Sequence, residues 1–240
     1  MAETAVGRGV VAVAVPGGLA VFGDANGAAR ALDSHALAAA AADAVARLVG
    51  RPVPALYARQ EHTRLAFSFS AADELPPGPH LVGTCDALLT AQPFTALMVR
   101  TADCLPVALA GGGVVAMVHA GWRGLAADVL GAAVERIRSE YGVSPGGVHA
   151  VIGVGIGPCH YRVGEEVFTA LARHRVAGEE WRGDGAVDLA CWARGRLAAL
   201  GVAGVRVRVL PGCTACSPSH YSYRRDGSLA GRQWSAVVLT

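Results

Sequence analysis

The stretch from Val99 to Gly124, "VRTADCLPVALAGGGVVAMVHAGWRG", contains three side chains suited to chemistry: Cys104, His119 and Arg123. Cys104 lies just beyond one apolar run, His119 closes the next, and Arg123 stands in "GWRG", where we expect a helix to begin. Strand ends and the loops beyond them are where a rigid scaffold presents side chains to a ligand. A helix start combined with an arginine favours an anion. These positions therefore predict a site that handles an anionic ligand.

Cys104 and His119 also suit a metal ion, because thiolate and neutral imidazole are preferred zinc ligands. A third ligand would leave the open position that catalytic zinc needs, and His62 in "RQEHT" is the best candidate. The spacing His-x41-Cys-x14-His matches no standard zinc signature. The alternative is a buried cysteine, a hydrogen-bonded core histidine and a surface or helix-capping role for Arg123.

Two further groups of cysteine and histidine stand outside this stretch. "CTAC", from Cys213 to Cys216, has the spacing of a redox pair but lies in a predicted loop, so we interpret it as structural. Cys159 and His160 are adjacent, and neighbours on an extended segment point to opposite sides. This geometry argues against a second metal pair at these residues.

The surrounding elements alternate between helices and strands. A cap at Asp33 or Ser34 predicts a helix to about Arg47 with Gly50 as its stop, and "LAADVLGAAVERIRSEYG" predicts another that closes at Gly142. "DELPPGPH" is interpreted as a proline-rich loop. The predicted strands include "PALYARQEH", "TRLAFSFS", "FTALMVRT", "VVAMVHA" and "VHAVIGVGIGP". We predict a mixed α and β fold in one domain, residues 1–240.

Composition excludes several classes of protein. The chain has 240 residues, 52% of them hydrophobic, and a net charge of +2, from 21 basic residues that are all arginine and 19 acidic residues. This balance argues against a nucleic-acid binder that relies on a basic surface. No apolar run reaches the roughly 18 residues of a membrane helix, and the start lacks the pattern of a secretory signal. We expect a cytoplasmic protein with reduced thiols and no membrane partner.

Several ordered motifs resemble those of one family. They are "DALLT", "TADCLPV", "VVAMVHAGWRGL", "GIGPCHYRVGEEV", "CT" and "HYSYRRDGSLAGRQWSAVVL", spread from about Gln60 to the end of the chain. Together they resemble the YfiH family, which is also described as laccase-domain or polyphenol oxidase proteins, peptidoglycan editing factors and purine nucleoside phosphorylases. The resemblance implies an α+β fold, a β-sandwich flanked by helices in α-β-β-α layers. Residues 1–59 diverge from the family pattern, since no serine follows Gly17 and Gly18 at the expected place and no Asn-Leu-Gly segment exists.

The resemblance also implies roles for individual residues. His62, Cys104 and His119 match the family's zinc ligands, and Cys104 and His119 are thereby catalytic candidates together with Arg123. The substrate-binding candidates fall in motifs near the family's pocket: Gln60, Asp103, Arg224 and Arg225. Cys159 and His160 lie in a family loop near the same pocket, so the resemblance implies that they contact the substrate rather than a metal.

The function implied is that of a zinc-dependent purine nucleoside enzyme. Zinc at an open position could activate water for deamination of adenosine or position phosphate for phosphorolysis, with the nucleoside and phosphate as partners. One alternative is a copper-dependent polyphenol oxidase, although none of the eight histidines forms a His-x-His pair. The other is a non-catalytic protein of cell-wall quality control.

Overall fold

The structure, a computed structural model, describes residues 3–5, 9–26, 33–70, 75–178 and 180–240. The strands are β1 (Glu3–Ala5), β2 (Val10–Val15), β3 (Gly18–Gly23), β4 (Pro54–Arg59), β5 (Ala66–Phe69), β6 (Gly78–Thr84), β7 (Ala87–Thr90), β8 (Ala96–Thr101), β9 (Leu105–Gly111), β10 (Val114–Ala120), β11 (His149–Ile152), β12 (Val207–Val209) and β13 (Gln233–Leu239). The α-helices are α1 (Ser34–Val49), α2 (Trp122–Ala126), α3 (Val129–Tyr141), α4 (Glu165–Leu171), α5 (Leu189–Ala199) and α6 (Tyr223–Asp226).

The strands form two mixed sheets. The first has the order β1-β2-β3-β13-β8-β4-β6 and the second the order β12-β11-β9-β10-β7-β5. Most neighbours are antiparallel, but β4 runs parallel to β6 and β8, β5 to β7, and β11 to β12.

Alternation along the central strands explains why the two sheets stack. Val115 and Met117 of β10 pack between the sheets, whereas Ala116 and Val118 face the helical layer of α3 and α5. On the first sheet, Trp234 of β13 packs against α1. Three apolar clusters thus separate four layers, which confirms the predicted α+β sandwich with α-β-β-α layering.

The predicted helix stops at Gly50 and Gly142 agree with the structure, whereas the helix predicted from Leu125 is divided between α2 and α3. The Asp33 carboxylate caps α1 by accepting from the backbone of His35 and Ala36, and Gly50 ends the helix in the left-handed region. Gly142 ends α3 in the same way. None of the helices in the described ranges has both the length and the apolar character needed to cross a bilayer.

One loop prediction needs correction, and one strand was not predicted. "DELPPGPH" is not all loop, because Gly78 begins β6 and Pro79 lies within it; residues 73–74 of that stretch lie outside the described residues. Proline is tolerated there because β6 is the edge strand of its sheet. A further strand, β9, starts directly after Cys104 and joins β10 through the glycine turn.

The register of β9 and β10 positions the functional stretch. Leu105 pairs with Ala120, so Cys104, just before β9, and Gly121, just after β10, meet at the same sheet end. The end of β8, at Thr101, lies only three positions before Cys104. The loop after β4 carries His62 to this same place.

Candidate active site

The structure brings His62, Cys104 and His119 together. Their ligand atoms all lie within 4.8 Å of one another, and Cys104 Sγ is 3.6 Å from His62 Nε2. The two imidazole rings meet edge to face with centroids 4.8 Å apart. Each side chain comes from a different segment: the loop after β4, the turn before β9 and the end of β10.

These three residues fit a zinc ion. Zinc bonds of about 2.3 Å to sulfur and about 2.1 Å to nitrogen place tetrahedral S and N ligands about 3.6 Å apart, which is the Cys104–His62 separation. Gly121 leaves the space open, because a Cβ there would lie 2.7 Å from Cys104 Sγ and 2.7 Å from His62 Cδ2. The donor set of one thiolate and two imidazoles also suits zinc chemically.

Asp86 lies behind the three ligands and was not singled out from the sequence. Its buried carboxylate accepts from His119 Nδ1 at 2.8 Å, which leaves His119 Nε2 to face the other ligands. The same carboxylate accepts from the backbone N–H groups of His62 and Thr63, at 3.1 and 2.7 Å, and from the Thr63 hydroxyl at 2.8 Å. One acid therefore orients one histidine and holds the loop that carries the other. The only sequence signal for it is an aspartate at the start of the apolar run "DALLT".

The charges of this group stabilise each other. Burial raises the pKa of Cys104, but the charge of His119 and hydrogen bonds from both histidines outweigh it and lower the pKa to about 6. Burial lowers the pKa of His119, yet the Cys104 charge and the Asp86 hydrogen bond raise it to about 9. Burial also raises the pKa of Asp86, and its hydrogen bonds from His119 and Thr63 bring it down to about 2. The metal-free site is therefore a thiolate beside an imidazolium at neutral pH.

The ligands open into a cavity of about 460 Å³ whose wall is rich in arginine. Its lining includes Arg100, Arg123, Arg224 and Arg232, together with the rings of Trp122, Tyr161 and Tyr223. The charge of Arg232 adds to burial in lowering the pKa of Arg100, so these two guanidinium groups repel each other across the wall. Thr101 also lines the cavity, and its buried hydroxyl has no hydrogen-bond partner among the described residues. Such a wall favours an anion that also accepts hydrogen bonds.

Arg123 lines the cavity as an exposed side chain. Its guanidinium stacks over the Trp122 ring at 4.4 Å, and no described carboxylate lies within ion-pair distance of it. This leaves its N–H donors for a ligand. Arg100 and Arg232 were not identified from the sequence, since an arginine at a strand end or in a turn carries no signal of its own.

The remaining predicted site residues have mainly internal partners. Gln60 lines the cavity while its amide exchanges two hydrogen bonds with the backbone of Arg100. Asp103 accepts from the Thr214 hydroxyl and from the backbone N–H of Arg224. The Arg224 guanidinium donates to the carbonyls of residues 160 and 162 and lies 5.2 Å from the centre of the Tyr161 ring.

Arg225 is placed differently from Arg224. Its guanidinium pairs with Asp226 and donates to the carbonyls of Thr214, Ser217 and His220, and it is not part of the cavity lining. Arg225 therefore does not line the cavity with the other predicted site residues, although its charge interacts with that of Asp103.

A second cluster forms where the sequence predicted none. Cys159, His160, Cys213 and Cys216 place their ligand atoms within 4.8 Å of one another. The interpretation that Cys159 and His160 diverge was wrong because residues 157–160 form a turn, not an extended segment.

Comparison of the sequence with known proteins finds a matching family and several named relatives. The sequence profile of the family described as "Multi-copper polyphenol oxidoreductase laccase" matches residues 16–240. A protein of Deinococcus radiodurans named purine nucleoside phosphorylase is 38% identical over 161 residues, covering 64% of this chain and 61% of that protein. A Streptomyces coelicolor protein of the same name is 41% identical over 172 residues, covering 68% of this chain and 69% of that protein.

The solved structures agree on the fold. The crystal structure of the hypothetical protein YfiH from Bacillus licheniformis superposes with a TM-score of 0.86 at 22% identity and covers 99% of both chains. The chain spans about three fifths of the length of the first of the named relatives, and the family profile extends over nearly all of the chain. The chain belongs to the family described as multi-copper polyphenol oxidoreductase laccases, the YfiH-like family that its motifs predicted.

Proposed function

We propose that this protein is a zinc-dependent purine nucleoside enzyme that cleaves adenosine and related nucleosides by phosphorolysis, deaminates them, or does both. The observation that carries the proposal is the meeting of His62, Cys104 and His119 in a cavity walled by arginines. The names of the relatives from Deinococcus and Streptomyces support the substrate class.

The metal proposed is zinc, although two histidines and one cysteine are also the ligands of blue-copper centres. Those centres add a weak axial ligand, usually methionine, and no methionine is among the described residues that line this cavity. Multicopper oxidation needs further histidines, and the second described cluster offers three cysteines with one histidine instead. Both observations favour zinc over copper at the site of His62, Cys104 and His119.

The arginines fit phosphate. Guanidinium groups pair bidentately with phosphate, and Arg123 has no described carboxylate competing for it. Arg100 and Arg232 lie close enough for their charges to repel, so an anion between them would relieve that repulsion. Phosphorolysis uses this charge directly, whereas deamination of a neutral nucleoside does not require it. The wall therefore favours phosphorolysis as the main reaction.

The rest of the cavity fits a purine nucleoside. Tyr223 is exposed and offers an aromatic face on which a base can stack. Trp122 and Tyr161 also line the cavity, with arginine side chains over their rings. The volume of about 460 Å³ is in the range of ordinary small-molecule sites, about 300–1,000 Å³.

When bound by His62, Cys104 and His119, zinc supplies Lewis acidity at an open coordination position. Asp86 keeps a proton on Nδ1 of His119 and thereby presents Nε2 as a ligand. Arg123 and Arg100 orient phosphate so that one of its oxygens attacks the ribose C1′. The bond from C1′ to the base breaks, the base takes up the proton that hydrogen phosphate gives up, and the base and ribose 1-phosphate are released.

The test combines metal analysis with product analysis of the parent, a Cys104→Ala variant and a Cys191→Ala control. Cys191 lies on α5, outside the cavity lining. We expect Cys104→Ala to contain about one zinc fewer than the parent, and Cys191→Ala to match it. Adenine formed only with phosphate indicates phosphorolysis, and inosine formed without phosphate indicates deamination.

The alternatives predict other outcomes of the same experiment. Copper in place of zinc, with oxidation of a phenol, would favour the oxidase, and zinc without turnover would favour a binding protein. Unchanged activity in Cys104→Ala would overturn the proposal. We also propose that the protein works in the reducing environment of the cytoplasm, where its free cysteines would stay reduced.

A further inference from the structure

The second cluster joins two loops that leave the same end of the second sheet. β11 and β12 are parallel neighbours, with Ile152 paired to Val209, so the segments that follow them emerge side by side. One segment carries Cys159 and His160, and the other carries Cys213 and Cys216. The parallel pairing thus brings together residues far apart in the sequence.

Local turns aim the four side chains at one point. The backbone N–H groups of His160 and Tyr161 both donate to the carbonyl of Gly157, which closes the first turn. In the second turn, the N–H groups of Cys216 and Ser217 donate to the carbonyl of Cys213. The two turns are joined directly because the Gly157 N–H donates to Cys213 Sγ at 3.2 Å.

Four of the separations between the ligand atoms are close to those of a tetrahedral centre, and all lie within 4.8 Å. His160 Nδ1 lies 3.4, 3.9 and 3.3 Å from the sulfur atoms of Cys159, Cys213 and Cys216. The sulfur atoms of Cys159 and Cys216 are 3.5 Å apart. Zinc bonds of about 2.3 Å to sulfur and about 2.1 Å to nitrogen predict edges of about 3.6–3.8 Å. The four observed distances, from 3.3 to 3.9 Å, differ from the expected edges by about 0.3 Å or less.

We propose that Cys159, His160, Cys213 and Cys216 form a second zinc site with a structural role. Four protein ligands of the Cys₃His type complete the tetrahedron and leave no position for a substrate, as in structural zinc sites. Two adjacent ligands on one turn and two on the facing turn are cross-linked by the metal.

The site would fix part of the wall of the first cavity. Tyr161, next to His160, lines that cavity, and the Thr214 hydroxyl, next to Cys213, donates to Asp103 at 2.6 Å. Asp103 in turn precedes Cys104. Zinc bound in this way orders the loops around the first centre without taking part in its reaction.

The test counts zinc per chain in protein loaded with zinc and freed of excess metal. We expect two equivalents in the parent, one in Cys216→Ser, one in Cys104→Ala and none detectable in the double variant. Cys191→Ser is the matched control and should keep two. Cys216 is exposed, so its replacement by serine leaves the core intact.

A second readout is the thiolate-to-metal absorption of the Co²⁺-loaded protein. Cys104→Ala should keep the larger part of this absorption, because three thiolates lie in the second site, and Cys216→Ser should lose the larger part. Zinc should also slow the alkylation of Cys159, which is exposed in the structure.

If Cys216→Ser has the same zinc content and the same Co²⁺ absorption as the parent, the proposal of a second site is overturned. So would peptide mapping that finds a disulfide between Cys159 and Cys216 in the zinc-loaded protein. One equivalent in the parent that disappears in Cys104→Ala would overturn the second site while leaving the proposed function standing. One equivalent that disappears only in Cys216→Ser would do the reverse.

Discussion

Gly121→Ala tests whether the close approach of backbone and ligands defines the first metal site. The new Cβ would lie 2.7 Å from Cys104 Sγ and from His62 Cδ2, where ordinary contact begins at 3.4 Å. The two ligands must therefore move by about 0.7 Å, the difference between these distances. Metal sites tolerate deviations of only about 0.2 Å in ligand distance. We expect zinc affinity at this site to fall about 10- to 100-fold, the range seen when groups supporting a metal ligand are lost.

The matched control is Gly124→Ala in the same helix turn. Its Cβ would meet its nearest neighbours at 3.5 Å, which is ordinary contact, and alanine favours the helical conformation. Gly121 has φ −75° and ψ 164°, a conformation open to alanine, so backbone strain does not confuse the comparison.

The assay is zinc competition with a chromophoric chelator, in a Cys216→Ser background so that only the first site is measured. Turnover of adenosine with phosphate should fall with zinc occupancy in Gly121→Ala and stay at the parental level in Gly124→Ala. Equal zinc affinity in both variants would refute the reasoning that Gly121 keeps the ligand space open.

Three further predictions follow from the same site. Asp86→Asn should weaken zinc binding about 10- to 100-fold, because His119 loses its carboxylate partner. The control Asp33→Asn keeps a good helix cap and should have no effect in the same competition assay. In chelator-stripped protein, the rate of alkylation of Cys104 should be half-maximal near pH 6, because only the thiolate reacts and the lowered pKa keeps the thiol ionised down to that pH. A midpoint of about 8.5 or above, measured by peptide mass spectrometry, would contradict the charge pairing with His119. Arg123→Gln should raise the KM for phosphate about 10- to 100-fold, as loss of a charge-assisted pair worth about 1.5–3 kcal/mol implies, whereas Arg138→Gln on the exposed face of α3 should leave it unchanged.

Much of the fold was predictable because its signals are local. The helix α1 is bounded by a capping aspartate and a left-handed glycine, and these act within a few residues of the chain. β6 was missed because Pro79 reads as a loop residue, and its place at the edge of a sheet is a tertiary fact. The order of strands in the two sheets likewise depends on long-range pairing that local periodicity does not encode.

Some residues of the candidate site could likewise be predicted from the sequence, and others could not. His62, Cys104 and His119 were identified by residue type and by resemblance, while their spacing alone matched no pattern. Asp86 was not predicted because a single aspartate before an apolar strand is typical of a strand boundary. Its role as a hydrogen-bond acceptor depends on the loop after β4, which contacts it only in the folded protein. The second cluster was misjudged because the direction of a side chain depends on whether its segment is extended or turned.

The three ligands of the first centre come from segments belonging to both sheets, and this has a consequence for folding. Before the sheets stack, these side chains are separated by long stretches of chain, so the unfolded state offers no comparable binding geometry. Occupancy of the proposed metal site is then linked thermodynamically to the packing between the sheets, which includes Val115 and Met117. Loosening of the packing between the sheets should therefore lower the zinc occupancy of this site, so zinc content would report on the integrity of the whole sandwich.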